Sequence, residues 1–304
     1  MLDIDSLSLP CWCASLTITK SSLAKRESAF VRWKQVAERY PCVLLATCER
    51  LEWYGSSPVE LGRFAERESL TCYHGAACLE HLMRVTAGWE STFVGESDVQ
   101  GQVKRAYAEA VRLHQLPSAL HYLFQKSLRA AKLLRQQTPQ VHTGLAQVAS
   151  QMLLDQTSDG ETLLFIGASA MNRGILHALQ GVNRNKVLLS RYPKKAQRFP
   201  PWVEIVDWPH AEWLEKAHAI CCATRSEEIW VERVSPVTRL ILDLSVPRRI
   251  NPDLGRQVTL CNVDQVLAKV GDRSNVLHGN QTMLRELMLR YLGMWQSKRI
   301  MAYA

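Results

Sequence analysis

The chain has 304 residues, 47% hydrophobic and 22% charged, a balance that fits a soluble globular protein with room for two ordinary domains. No apolar run reaches the roughly 18 residues a membrane span needs, and the acidic start, Met1 to Pro10, lacks the basic flank of a signal peptide. The net charge of +8 favours an anionic partner without separating RNA from a membrane surface or an acidic metabolite.

Residues 12–19 and 41–55 read as strands, the second interrupted by the polar run Thr47–Glu52. Between them Ser28 to Tyr40 has helical spacing, with Phe30, Trp33, Val36 and Ala37 on one face. Residues 98–113 predict a helix that opens at Asp98, shares Val99, Val103, Ala106 and Ala110 on a face, and precedes Pro117. A further helix runs from about Ser118 to Gln137. On it Lys126, Arg129, Lys132 and Arg135 recur every three positions, either as a solvated face or as a phosphate-contacting stripe.

After Thr143 the pattern changes. An apolar helix over Gly144 to Asp155 leads to a short buried strand, Glu161 to Ile166, then a glycine-bearing turn, a helix from about Met171 to Leu179 and a strand at Lys186–Leu189. That is a βαβ unit, the opening of a doubly wound sheet. Later strands fall at 203–206, 218–222, 239–244 and 258–261. From Asn280 onward Leu284, Leu287, Met288, Tyr291, Leu292 and Trp295 make one long amphipathic helix.

The nine cysteines, at 11, 13, 42, 48, 72, 78, 221, 222 and 261, form neither a disulfide framework nor a paired C-x2-C spacing for zinc. No metal site and a reducing cytoplasmic setting are therefore expected. Cys48 stands out because Thr47-Cys48-Glu49-Arg50 follows an apolar strand, and a thiolate beside a cation is a nucleophile. Burial as a small hydrophobe is the plainer reading of a single thiol. The second informative stretch runs from His81 to Lys104, where glycines flank a short segment holding Ser91 and Glu96. Polar residues in such a tight loop can fix a small amino acid by its ammonium and carboxylate, or merely solvate the loop.

Together these segments resemble the glutamyl-tRNA reductase family. Thr47-Cys48-Glu49-Arg50-Leu51-Glu52 is similar to its nucleophile motif T-C-N-R-x-E, and His81 through Lys104 is similar to its second signature. Leu123-Phe124-Gln125-Lys126, the segment from Asp243 to Arg248 with Asn251-Pro252, and Asn262-Val263-Asp264 match further family stretches in order. The resemblance implies that Cys48 attacks the ester joining glutamate to tRNA, and that NADPH then reduces the thioester to glutamate 1-semialdehyde for haem and sirohaem synthesis. It places Thr47, Arg50, Ser91, Glu96 and Gln102 around the glutamyl group, with His81 near the thiol as a polarising or proton-managing group.

For the cofactor the resemblance points to Gly167, Ser169, Met171, Ser190, Arg191 and Thr224, with Arg191 favouring NADP over NAD. Here the family's G-A-G-x-M-G reads Gly167-Ala168-Ser169-Ala170-Met171-Asn172, so two glycines are replaced and weaker NADPH binding is expected. Glu49 stands where the family has Asn, a carboxylate that would raise the thiol pKa if it faced the site. Ile18-Thr19-Lys20-Ser21 lacks the family's histidine.

The expected fold is α/β, in three parts. An N-terminal α+β catalytic domain covers residues 1–140, a doubly wound NADP-binding Rossmann-type domain covers 141–275, and a C-terminal spinal-type helix covers 276–304, without the family's dimerisation domain. That helix is expected to dock for the most part on its own α/β domain. Trp295 would be left for a partner, and the chain would be a monomer or weak dimer, not bound to a membrane. Besides glutamyl-tRNA, two rival functions fit: a paralogue without reductase activity that binds haem or another pathway protein, and a thiol enzyme passing an aminoacyl group to a different acceptor.

Overall fold

The computed structural model describes residues 9–56, 70–92, 98–136, 144–192, 198–209, 211–227, 231–269 and 280–303. The chain divides into two compact units, one made of Met1–His142 with Arg273–Ala304, the other of Thr143–Asp272.

In the first unit β1 (Trp12–Thr17), β2 (Val43–Ala46), β3 (Arg50–Gly55) and β4 (Thr71–His74) form an antiparallel sheet in the order β2-β3-β1-β4. Side chains alternate between its faces. Trp12, Ala14, Leu16, Leu51 and Trp53 pack against Ala29 and Trp33 of α1 (Leu23–Ala37). Cys13, Val43, Leu45 and Tyr54 belong instead to the larger core shared with α2 (Gly75–Ala87), α3 (Asp98–Leu113) and α4 (Ser118–Gln136).

This layering corrects the reading of 41–55 as one interrupted strand. The interruption is a turn, and Arg50 and Glu52 return to a strand, buried on the face of Tyr54. The first helix also starts earlier than its apolar spacing suggested. Ser22 caps it, its hydroxyl accepting from the Lys25 N–H at 3.3 Å.

The second unit runs α5 (Leu145–Asp155), β5 (Thr162–Ile166), α6 (Ala170–Ala178), β6 (Asn185–Ser190), β7 (Glu204–Asp207), α7 (Ala211–Lys216), β8 (Ala219–Cys222), β9 (Leu240–Asp243), a 3-10 turn (Pro252–Arg256), β10 (Thr259–Asn262) and α8 (Val263–Ala268). Its sheet is parallel throughout, in the order β10-β9-β8-β5-β6-β7. The apolar runs Leu163–Ile166, Ala219–Cys222 and Leu240–Leu242 are buried, as strands covered on both faces must be. The order reverses beside β5, which opens a crevice at the carboxyl ends of β5 and β8.

The last helix, α9 (Gln281–Tyr303), belongs to the first unit. Leu284, Leu287, Met288, Tyr291, Leu292 and Trp295 are buried in the core with α2 and α4. The Tyr122 hydroxyl donates to the Tyr291 carbonyl at 2.6 Å, and the Trp295 ring lies 5.0 Å from that of Tyr122. Two expectations are corrected here: the stripe packs on the N-terminal helices rather than on the α/β unit, and Trp295 is covered. Apolar spacing marks a buried face without naming what covers it. Among the described residues no helix is long and apolar enough to cross a membrane.

Candidate active site

Cys48 sits half-buried in the turn between β2 and β3. Thr47 builds that turn. Its N–H donates to the Arg50 carbonyl at 2.9 Å, and its Oγ1 accepts from the N–H groups of Glu49 and Arg50, each at 3.2 Å. The Glu49 carbonyl accepts from Ile18 N–H at 2.8 Å, and buried Arg26 donates to the carbonyls of Ser21 at 2.8 Å and Cys48 at 3.4 Å. The thiol is thus carried on a backbone fixed from several sides.

Two residues beyond the turn, Glu52 collects the polar groups of its face. Ser15, its register partner on β1, donates to Oε1 at 2.9 Å, and the Tyr54 hydroxyl donates to Oε2 at 2.6 Å. His81 Nε2 of α2 lies 2.8 Å from Oε1 and Arg50 Nη1 lies 3.5 Å from it. Burial alone would push the Glu52 carboxyl up; the His81 ring and the Arg50 guanidinium outweigh it and hold the group down, at about 2. His81 is fixed on its other side by the Tyr73 ring, stacked 4.0 Å away at 9°. Cys13, Glu52 and His81 bring one possible ligand atom each within 4.8 Å. Burial pushes the Cys13 thiol well up, and the Glu52 oxygens already accept four donors, so this arrangement is a hydrogen-bond hub and not a ready metal site.

Gly88 ends α2 in the left-handed conformation, φ 79°, and starts the loop that carries Ser91. Arg50 Nη2 donates to the Glu90 carbonyl, Arg84 Nε donates to the Glu90 carboxylate at 2.6 Å, and both Glu49 oxygens lie 3.0 Å from the Thr92 N–H. The structure therefore brings Thr47, Cys48, Arg50, His81 and Ser91 into one connected region. Gln102 is half-buried on α3, which packs against β2. Glu96 lies outside the described residues. Sequence reading assigned no role to Glu52, Glu90 or Thr92. For Glu52 the signal was present: Arg50, Glu52 and Tyr54 share a period of two.

In the second unit the expected cofactor residues ring the crevice at the strand ends. Gly167 follows β5 with φ 98°, and a Cβ there would lie 2.6 Å from Thr224 Cβ and 2.7 Å from the Ala223 carbonyl. Only glycine fits. Ser169 caps α6, its hydroxyl accepting from Asn172 N–H at 3.0 Å. Asn172, fully buried, donates through Nδ2 to the carbonyls of Ile166 at 3.0 Å and Gly167 at 2.7 Å. Met171 lies half-buried in the first turn of α6. At the end of β6 the Ser190 hydroxyl accepts from Tyr192 N–H at 3.1 Å, while Arg191 donates to Ser226 at 2.8 Å and to the Tyr192 hydroxyl at 3.1 Å. Thr224 Oγ1 accepts from Ser226 N–H at 3.1 Å. A glycine cradle, a helix N-terminus and an arginine at the neighbouring strand end fit a phosphate-bearing dinucleotide.

The sequence model described as "Glutamyl-tRNAGlu reductase, N-terminal domain" matches residues 14–138. The chain is 40% identical over 161 residues to the glutamyl-tRNA reductase of Chlamydia caviae, a match covering 49% of this chain and 48% of that protein. It is 30% identical over 222 residues to the enzyme of Chlamydia muridarum, covering 68% and 66% respectively. The chain thus spans about half the length of the first curated relatives it matches. Among solved structures, glutamyl-tRNA reductase from Methanopyrus kandleri aligns with a TM-score of 0.49 at 21% identity, over 95% of this chain and 80% of that one.

Proposed function

We propose, for a chain that belongs to the glutamyl-tRNA reductase family, that it reduces glutamyl-tRNA to glutamate 1-semialdehyde through a thioester on Cys48, as a step towards tetrapyrroles. The observation that carries this reading is the placement of Cys48 in a rigid turn directly before the Arg50–Glu52–His81 network.

The Cys48 thiolate attacks the ester carbonyl, an S–C bond forms, the C–O bond to the terminal ribose breaks, and the released ribose oxygen takes a proton. By the family resemblance Arg50 would supply the cation for the glutamyl carboxylate. Glu52 fixes the orientation of Arg50 and His81, and His81 would hold or pass the proton. Thr47, Ser91 and Gln102 would make up the rest of the amino-acid site, with Glu96 joining them by the family resemblance alone. Gly167, Ser169, Met171, Ser190, Arg191 and Thr224 would hold NADPH, which when bound would supply the hydride that converts the thioester to the aldehyde, the C–S bond breaking and Cys48 leaving as its thiolate.

A single-turnover assay with charged tRNA, with and without NADPH, tests the reading: aldehyde is expected only with both. A second reading, acyl transfer without reduction, is favoured by the internal bonds of Ser169 and Asn172 at the cofactor turn. It predicts a trapped thioester and no aldehyde.

A further inference from the structure

The two residues after Cys48 reach the Ser91 loop from opposite sides. Glu49 takes the backbone N–H of Thr92 between its two carboxylate oxygens, each at 3.0 Å, while Arg50 Nη2 donates to the carbonyl of Glu90. Glu90 and Thr92 are the immediate neighbours of Ser91. Two side chains from one turn thus hold the peptide groups on either side of one serine. Arg84 of α2 holds the Glu90 side chain as well, at 2.6 Å, so the loop is tied to the helix it leaves and to the turn it faces.

Glu49 is an expensive residue for this task. It is 5% exposed, and Arg50 Nη2 stands 4.0 Å from its carboxylate. Burial pushes its carboxyl up, and the Thr92 N–H and Arg50 offset only part of that. A carboxylate kept in such a place is costly unless its contact is useful.

We infer that Glu49 is a positioning residue which, together with Arg50, sets the position of Ser91 relative to the Cys48 turn and thereby the fit of the aminoacyl group. The inference rests on Cys48 being the acyl acceptor. In this role Glu49 acts through the Thr92 peptide.

The test compares wild type, Glu49→Ala and Glu49→Gln in the full chain. Glutamine keeps one acceptor oxygen at the same reach and serves as the conservative rescue. Exchange of the Thr92 amide, followed by NMR, is expected to quicken about tenfold in the alanine variant, the size of one net hydrogen bond, and much less in the glutamine variant. Alkylation of Cys48 by iodoacetamide should be unchanged in all three. In single-turnover acylation by glutamyl-tRNA, the half-saturating concentration should rise about tenfold in Glu49→Ala with a smaller change in the maximal rate, and Glu49→Gln should recover most of it.

Unchanged Thr92 exchange in Glu49→Ala would overturn the contact. Faster exchange with unaltered acylation would overturn the positioning role. If wild type transfers no glutamyl group, the reading of Cys48 falls and this inference with it. The Thr92 exchange measurement tells that case apart from a failure of the contact.

Discussion

Ser15 and Glu52 face each other across β1 and β3, and the serine hydroxyl donates to the carboxylate at 2.9 Å inside a fully covered sheet face. A carboxylate so placed stays charged only because Arg50, His81 and Tyr54 also address it. Its proton affinity consequently carries a stability signature. Held at about 2 against a usual 4.5, Glu52 contributes stability that is complete above pH 4.5 and lost as pH falls towards 2, on the order of 3 kcal/mol. Glu49 and Asp243, raised by burial, act with the opposite sign and lose their contribution as pH rises through the raised values. Glu52→Gln should cost about 3 kcal/mol at pH 7, and its denaturant midpoint should approach that of wild type below pH 4. A gap that does not vary with pH would refute the assignment.

Replacing Cys48 by serine should remove aldehyde formation and thioester trapping while shifting the melting temperature by no more than about 2 °C. The side chains are nearly isosteric, but a hydroxyl is far less nucleophilic at neutral pH. Turnover retained in this variant would exclude the thioester route.

The cofactor turn gives a paired prediction. Ser169→Gly removes only a cap, so stability should fall by a few tenths of a kcal/mol, while NADPH binding, measured by calorimetric titration, should tighten. Asn172→Ala leaves the buried carbonyls of Ile166 and Gly167 without the amide that now serves them, and should cost about 1–3 kcal/mol. Sub-micromolar NADPH binding by wild type, unchanged by Ser169→Gly, would show that the serine is tolerated.

Trp295 is buried against Tyr122, and its indole N–H has no hydrogen-bond partner among the described residues. Trp295→Ala should therefore cost packing alone, about 3 kcal/mol. With the stripe covered within the first unit, light scattering of wild type should report a monomer across the micromolar range. A tight dimer at nanomolar concentration would require an interface elsewhere.

The parallel sheet was legible from the uninterrupted apolar runs of its central strands, such as Leu163–Ile166 and Ala219–Cys222, and the long helices because their apolar residues repeat with helical spacing. Cys48, Arg50, His81 and Ser91 were legible through a family resemblance, since no periodicity singles out a reactive thiol. Glu52 was masked by its charge, which reads as an interruption of the strand; only the period of two that it shares with Arg50 and Tyr54 marks its face. β4 was hidden likewise, because Thr71–His74 alternates between exposed and half-buried positions and has no apolar run. The resting place of α9 depends on contacts between segments more than 150 residues apart, such as that of Tyr122 with Tyr291, which no local pattern encodes.

Because α9 completes the core begun by β1 to α4, the α/β unit is in topological terms an insertion within the first unit. During synthesis the residues around Cys48 must wait, with one wall of their core open, until the stripe ending at Trp295 has left the ribosome. The inserted unit has all its strands in hand well before that. The inserted unit can thus close its sheet before the thiol-bearing unit can close its core.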